Sequence, residues 1–417
     1  MFSRVKGTRD FLDLTLFDFF IKKTSIHVEN YNFEHIDTPI LETTELFKRS
    51  LGTNTDVVNK EMYVFEGSEE GEKSICLRPE VTASTMRAFL ENNISSLPWK
   101  VYSWGPMFRK ERPQRGRYRQ FHQFNIEAIG SGEISLDANF IAMLDHLFSE
   151  ALMLDNYTVH VNFLGSPDDR KVYKTILGDF LDKNNSALCG KCKERREKNI
   201  MRVFDCKQED CQKLYKKAPY IVDSLSEESK KEWEQLQSLL ELLSISFSYT
   251  PTLVRGLDYY NKTVFEFSST ALGAQSAFCG GGRYDYLAQE LGSKECYPSF
   301  GVAIGIERVL ILLEQIKDKL PLPHKKPLHL FLPLSENQYS LASLLADHVQ
   351  AANLCVDILF DKPSLKSMMR KANKMGASYV LLVGDDEQKN NTVVVKNMVS
   401  GTEETIAQND LVGHLKK

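Results

Sequence analysis

Residues 107 to 127, Met-Phe-Arg-Lys-Glu-Arg-Pro-Gln-Arg-Gly-Arg-Tyr-Arg-Gln-Phe-His-Gln-Phe-Asn-Ile-Glu, constrain the chain more than any other stretch. Pro113 and Gly116 interrupt regular structure between two extended, partly aromatic runs, so the segment reads as a hairpin. Arg109, Lys110, Arg112, Arg115, Arg117 and Arg119 crowd its first half. Like charges repel, so this is either a solvated basic loop or a site for a polyanion such as nucleotide phosphates or an RNA backbone. The returning run favours a site. Gln120, His122, Gln123 and Glu127 supply donors and acceptors at strand spacing, and Gln123 and Glu127, an even number apart, share one face.

A chain of 417 residues, 42% of them hydrophobic, can fill the cores of two or three domains. Its net charge of -4 argues against wholesale coating of nucleic acid, so any RNA contact must come from local patches such as this hairpin. No apolar run reaches the length of a membrane span, and the N-terminal residues lack a signal-peptide core. A cytoplasmic protein without membrane contact is therefore expected, its eight cysteines thiols or metal ligands and not a disulfide framework.

Arg4 to Arg9 form a small basic lead-in, after which Asp10 is placed to cap a helix carrying Phe11, Leu12, Leu16, Phe19, Phe20 and Ile26. Residues 33 to 42 read as a short strand whose Pro39 needs an edge or a dimer seam. Residues 61–66 and 73–77 read as a hairpin turning at 67–71, its second strand running into Arg78-Pro79-Glu80-Val81-Thr82. Helices are expected from about Thr82 to Asn92 and over 135–153, the latter with Ser135 and Asp137 at its start.

From about 165 to 245 the composition shifts to Lys, Glu, Asn and Asp with helical periodicity, as in an inserted helical module without a catalytic constellation. Within it Cys189, Cys192, Cys206 and Cys211 have a spacing close to that of a four-thiolate zinc site. The second pair is loosely spaced, and four cytosolic thiols without metal is the preferred reading; metal analysis separates the two. Strands are expected again over 249–260, led by Arg255, then at 263–267 and from Ala277 into Gly280-Gly281-Gly282-Arg283-Tyr284-Asp285. Three glycines inside a strand mark a place where a ligand or another backbone approaches closely. Phe300 to Gly305 reads as a strand entering an apolar helix, with Arg308 near the helix start as either a salt-bridged residue or an anion binder.

After a proline-rich linker at 318–327 come three short apolar strands alternating with amphipathic helices near 336–352 and 363–375, then a strand at 392–397. This alternation implies a separate α/β domain with parallel strands. Lys362, Lys366, Arg370, Lys371 and Lys374 lie on and beside its second helix, as a solvated face or an RNA contact.

In this order the signals resemble the class II aminoacyl-tRNA synthetases, and more narrowly the histidyl-tRNA synthetase family, over essentially the whole chain. Phe108 to Gln123 matches the second class-defining motif in its histidine-specific form, Gly301 to Leu313 the third, and Ile36 to Glu42 the first. Leu253 to Tyr260 and Gly280 to Asp285 match two signatures peculiar to the histidine enzymes. The resemblance implies an α+β catalytic domain over 1–320, a mixed, mainly antiparallel sheet flanked by helices, with the helical insertion at about 165–245. A linker at 321–327 and a C-terminal α/β anticodon-binding domain at 328–417 would follow. It also implies a homodimer, with tRNA(His), L-histidine and ATP as substrates, Mg²⁺ accompanying the ATP, and no organic cofactor or resident metal.

The implied chemistry is formation of histidyl-adenylate with loss of pyrophosphate, then transfer of histidine to the terminal ribose of tRNA. Attack on the α-phosphate builds negative charge that fixed guanidinium groups stabilise. By resemblance Arg109 holds the α-phosphate and the histidine carboxylate, and Arg255 is the second catalytic cation, where other class II enzymes rely on a magnesium ion. Arg308 stacks on adenine and Glu111 contacts the nucleotide. Arg115, Arg117 and Arg119 meet the acceptor end of the tRNA, and the C-terminal domain meets the anticodon.

Neutral imidazole offers one donor and one acceptor, so a selective pocket needs one of each, which Glu127 and the Tyr260 hydroxyl supply. By resemblance Glu80, Thr82 and Gln123 take the substrate ammonium, Tyr259 and Tyr284 line the pocket, and Gly280 to Gly282 keep its floor free of side chains. Val81, between two of these residues, stands where many relatives carry glycine or another residue. Two rival readings remain distinguishable by assay. A regulatory relative of the first enzyme of histidine biosynthesis would show no histidine-dependent pyrophosphate exchange, and a non-catalytic RNA-binding protein would bind tRNA without ATP turnover.

Overall fold

The computed structural model describes residues 2–52, 55, 57–66, 73–273, 276–360 and 364–416. The expected turn at 67–71 and Lys362 lie outside the described residues. The chain forms two compact units, Met1–Leu322 and Pro323–Lys417.

The first unit is built on an eight-stranded sheet: β1 (Glu34–His35), β2 (Trp99–Phe108), β3 (Gln120–Ile129), β4 (Thr158–Phe163), β5 (Phe247–Tyr249), β6 (Asn261–Ser268), β7 (Ala277–Arg283) and β8 (Ser299–Gly305). The spatial order is β1-β2-β3-β8-β7-β6-β4-β5. Only the outer pairs β1–β2 and β4–β5 are parallel. The basic hairpin is the long arm of this sheet: β2 and β3 pair without a slip from Trp99 opposite Ile129 to Phe108 opposite Gln120. Their aromatic side chains make the pairing productive, with Tyr102 stacked on Phe124 at 5.3 Å and Phe20 of the first helix edge-on to Phe124 at 6.1 Å.

Four local readings change in the fold. The first helix spans Thr15–Glu29 and does not begin at Asp10, because the Thr15 N–H donates to Asp13 at 2.9 Å while Asp10 pairs with Arg4. The strand expected over 33–42 is divided at Pro39, which has no N–H for a ladder. Its first part is β1, and Leu41–Thr43 instead joins a three-stranded sheet with Ile75–Leu77 and Tyr63–Phe65. The run 249–260 leaves the sheet after Tyr249 and continues as a loop, whose carbonyls at Pro251 and Leu253 accept from Asn162 Nδ2 at 3.2 and 2.9 Å. Arg255 therefore stands on a pinned loop and not on a strand.

The insertion is helical throughout, with Pro167–Lys183 capped by Ser166, Gly190–Lys198, Glu209–Tyr215 and Glu227–Leu242 joined by short 3₁₀ turns. The second unit is a five-stranded sheet, β9 (Leu328–Pro333), β10 (Cys355–Ile358), β11 (Ala377–Val383), β12 (Thr392–Asn397) and β13 (Glu403–Ala407), ordered β10-β9-β11-β12-β13. Here the fourth change appears: β10, β9 and β11 are parallel, but β12 and β13 add antiparallel strands. β13, Glu-Glu-Thr-Ile-Ala, is mostly exposed and carries no apolar pattern by which to read it. Alternation along β9 sends Phe331 to one core with helix Tyr339–Ala351, and Leu330 and Leu332 to another with helix Leu365–Met375.

Candidate active site

The inward face of β3 carries Gln123, Asn125 and Glu127. Glu127 is wholly buried beneath the sheet, where Thr82 Oγ1 donates to its Oε1 at 2.7 Å and the Tyr284 hydroxyl to its Oε2 at 2.5 Å. Loss of hydration pushes its carboxyl up from 4.5 to about 8; the two hydroxyl donors oppose this and the nearby Glu80 adds to it. No cation pairs with it among the described residues. Asn125 on the same face is buried with neither amide atom bonded, and so is the Gln123 Oε1. A strand face with this many unanswered polar atoms is suited to a polar ligand.

Glu127 fits because its cross-strand neighbour is glycine. Gly301 of β8 lies opposite it, and a Cβ there would fall 1.6 Å from Oε2. The glycine run of β7 makes the second clearance: a Cβ on Gly280 would lie 2.5 Å from both Nη atoms of Arg255, so the guanidinium lies directly against bare backbone. Arg255 Nη1 donates to Glu266 Oε2 at 3.0 Å, and its charge sits 5.8 Å from the Tyr260 ring. Tyr259 packs against Tyr260 at 4.6 Å and Tyr284 at 5.7 Å. Arg170, from the insertion's first helix, holds the Tyr260 carbonyl at 2.7 Å.

Glu80 closes the other side. Its two oxygens accept the N–H groups of Thr82 and Ala83 at 2.7 and 3.0 Å, capping helix Thr82–Glu91, and burial raises its pKa despite those bonds. Val81 is buried and its carbonyl accepts from Thr85, so a side chain at this position leaves Glu80 and Thr82 in the same cluster. The structure thus brings Glu80, Thr82, Glu127, Arg255, Tyr259, Tyr260 and Tyr284 together.

The hairpin loop forms a second cluster. Arg109 Nε donates to the Pro79 carbonyl at 2.9 Å, and its guanidinium lies 5.2 Å from the Phe121 ring. Glu111 lies 3.9 Å from Arg109 and is ion-paired with Arg117. Arg119 is fixed through its backbone, its N–H donating to Gly7 of the N-terminal segment at 2.7 Å. The tip folds onto helix Ile306–Gln315, where Arg308 donates to the Gly116 carbonyl at 2.9 Å and to that of Ala277. Burial and the neighbouring Arg117 lower the Arg308 pKa. Arg115 stands apart, facing a separate groove with Arg9, Phe11 and Ile311.

Beside Arg255 and Tyr260 opens a cleft of about 430 Å³, edged by Arg170, Lys174, Arg196, Lys198 and Arg202, with Asp258 on its wall. Its cationic rim suits an anion. Sequence reasoning missed the residues that hold these parts. Arg78 is buried and donates to Thr38 at 2.7 Å and Pro106 at 3.2 Å, joining the small sheet to β2. Arg283 is buried in a knot with Asp137, Asp285 and the carbonyls of Ser131 and Glu133. Glu307 accepts from the His122 N–H and ring Nδ1, fixing helix Ile306–Gln315 to β3. Adjacent positions in sequence signalled none of these, since every partner except Asp285 is remote.

Comparison with known proteins places this geometry in context. The profile of the family described as Histidyl-tRNA synthetase matches residues 22–309, and that of the Anticodon binding domain residues 330–417. The histidine–tRNA ligase of Clostridioides difficile (strain 630) is 41% identical over 389 residues, 93% of this chain and 92% of its own length. That of Halothermothrix orenii is 41% identical over 417 residues, 99% and 98% of the two chains. The crystal structure of apo S. aureus histidyl-tRNA synthetase superposes with a TM-score of 0.80 at 32% identity, covering 100% of each chain.

Proposed function

Since the chain belongs to the histidyl-tRNA synthetase family and is a histidine–tRNA ligase, an aminoacyl-tRNA synthetase, we propose that the Glu127 cluster is its histidine pocket. Glu127 and the Tyr260 hydroxyl take the two imidazole nitrogens, and Glu80, Thr82 and Gln123 the ammonium. Val81 and Tyr259 shape the pocket, and Tyr284 orients Glu127. The observation that carries this reading is Glu127 itself, a buried carboxyl group that meets two hydroxyls and, among the described residues, no cation. Such a group is costly unless a ligand answers it.

ATP, taken with its Mg²⁺ as substrate, lies across the hairpin cluster, with Arg308 on the adenine side and Glu111 and Arg109 on the nucleotide. A histidine carboxylate oxygen bonds to the α-phosphorus, the bond to the β-phosphate bridge breaks, and pyrophosphate leaves with the electron pair. Arg109 and Arg255 stabilise the charge that builds, in a setting where donors already in place need no reorganisation. The terminal ribose hydroxyl of tRNA(His) then attacks the histidyl carbonyl and releases AMP. Arg115, Arg117 and Arg119 meet the acceptor end, and the C-terminal unit meets the anticodon.

We further propose a cytoplasmic homodimer. Supporting the dimer, the three-stranded sheet that follows Pro39 exposes Leu41 (53%), Phe65 (49%) and Ile75 (41%) on one face. Consistent with the cytoplasm, no helix among the described residues is long and apolar enough to cross a membrane. The experiment is ATP–pyrophosphate exchange with histidine and with analogues lacking either ring nitrogen. Exchange should depend on histidine and fail with both analogues; comparable exchange with an analogue refutes the pocket assignment.

A further inference from the structure

We propose that Cys189, Cys192, Cys206 and Cys211 form a structural tetrathiolate zinc site that fastens the helical insertion. The four Sγ atoms all lie within 4.8 Å of one another. They come from four separate places: the residue before helix Gly190–Lys198, its first turn, the end of the 3₁₀ segment Ile200–Asp205, and helix Glu209–Tyr215. A tetrahedron with zinc–sulfur bonds of about 2.3 Å has edges of roughly 3.8 Å. Cys189 Sγ and Cys206 Sγ are 3.7 Å apart, a fitting edge and far beyond the about 2.05 Å of a disulfide.

The surroundings treat the sulfurs as acceptors. The backbone N–H of Cys189 donates to Cys211 Sγ at 3.4 Å, and that of Gln208 to Cys206 Sγ at 3.4 Å. The buried Tyr215 hydroxyl lies near the Cys192 thiol and has no hydrogen-bond partner among the described residues. Hydrogen bonds like the two backbone ones orient and stabilise metal-bound thiolates. Four thiolates on a divalent ion leave two negative charges, and helix Gly190–Lys198 carries Lys191, Lys193, Arg195, Arg196 and Lys198. Sulfur-only tetrahedral sets suit zinc or iron, and zinc binds the more tightly of the two divalent ions.

The local fold has a use for such a clip. The segments involved are only 9, 6 and 7 residues long, below the length at which helices stand alone. Metal binding adds directly to folding stability in small units of this type. It would also steady Arg196 to Arg202 at the wall of the cationic cleft, where Asn199 donates to Asp258 at 2.7 Å.

The test uses the full-length chain, purified with zinc in the growth medium and without chelators. Metal analysis should find one zinc per chain, released by a mercurial reagent in step with four thiols. Cys211→Ser should lose the metal, whereas Cys355→Ser, on the exposed cysteine of the C-terminal unit, should keep it. Should Cys211→Ser fail to fold, cobalt exchanged into the wild-type chain still decides through the intense visible absorption of a tetrahedral thiolate site. A folded wild-type chain without zinc or that cobalt spectrum, iron in place of zinc, or a Cys189–Cys206 disulfide would overturn the proposal.

Discussion

Replacing Glu127 by Gln should make the protein more stable and less able to use histidine. Burial lifts the Glu127 carboxyl from 4.5 to about 8. An acid whose folded pKa exceeds its unfolded one binds a proton more tightly in the fold. Its effect on stability is therefore neutral below about pH 4.5, worsens as pH rises, and levels off above about pH 8, where the folded group ionises too. At about 1.4 kcal/mol per pH unit, roughly 3 kcal/mol has been lost by pH 7, against under about 1 at pH 5. Glutamine keeps the shape and does not titrate, so the stability difference between variant and wild type should grow by about 2 kcal/mol from pH 5 to pH 7. In thermal melts that is a gap widening by roughly 4 °C, using the scale for domains of moderate size. In parallel, weakening the hydrogen bond to the substrate's imidazole by about 1–2 kcal/mol should raise the KM for histidine roughly 5- to 30-fold. Melting curves whose separation is the same at pH 5, 7 and 8.5 would refute the reasoning, because Glu127 would then be ionised in the fold throughout.

Gly301→Ala should abolish histidine-dependent exchange while circular dichroism stays native, since its Cβ would stand 1.6 Å from Glu127 Oε2; near-normal exchange would show that the strand yields there. Tyr260→Phe should raise the KM for histidine at least about tenfold and leave that for ATP unchanged, and an equal loss of both contradicts its place on the imidazole. Arg283→Met leaves Asp137 buried without its cation, which should lower stability by about 3–5 kcal/mol in denaturant titration. A loss below about 1 kcal/mol would mean that Asp137 is protonated in the fold.

What could be read from sequence followed from short-range signals. The hairpin was legible because Pro113 and Gly116 separate two runs of ten paired residues, and helix Ile306–Gln315 because its apolar stripe is dense. Arg255 was legible as a site residue but not its setting, because 249–260 has strand-forming residues and the side chains that pin it as a loop, Asn162 and Arg170, are remote in sequence. Asp137 looked like a helix-start acid; its true partner, Arg283, comes from another strand. The divided segment at Pro39 was half visible, since proline forbids a continuous ladder but does not say which sheet receives Leu41. In the second unit β13 was invisible for the opposite reason, a solvated edge strand needing no apolar residues.

Two buried ionisable groups in the catalytic unit separate architecture from chemistry. Arg283 meets two carboxylates and two backbone carbonyls, so its charge is fully answered inside the protein, and removing it should unsettle the fold. Glu127 is as deeply buried but meets only two hydroxyl groups, and along its strand Asn125 and Gln123 also hold buried atoms without partners. Isolated unanswered groups occur in any fold; two at alternate positions on one strand face, in line with a buried carboxyl group that no cation meets among the described residues, form a coherent deficit. Such a deficit weakens the unliganded protein and is relieved when a molecule supplies donors and a positive charge. Histidine, with its ammonium and its ring N–H, has both, so in the proposed pocket the feature that costs the empty enzyme stability would be the one that selects its substrate.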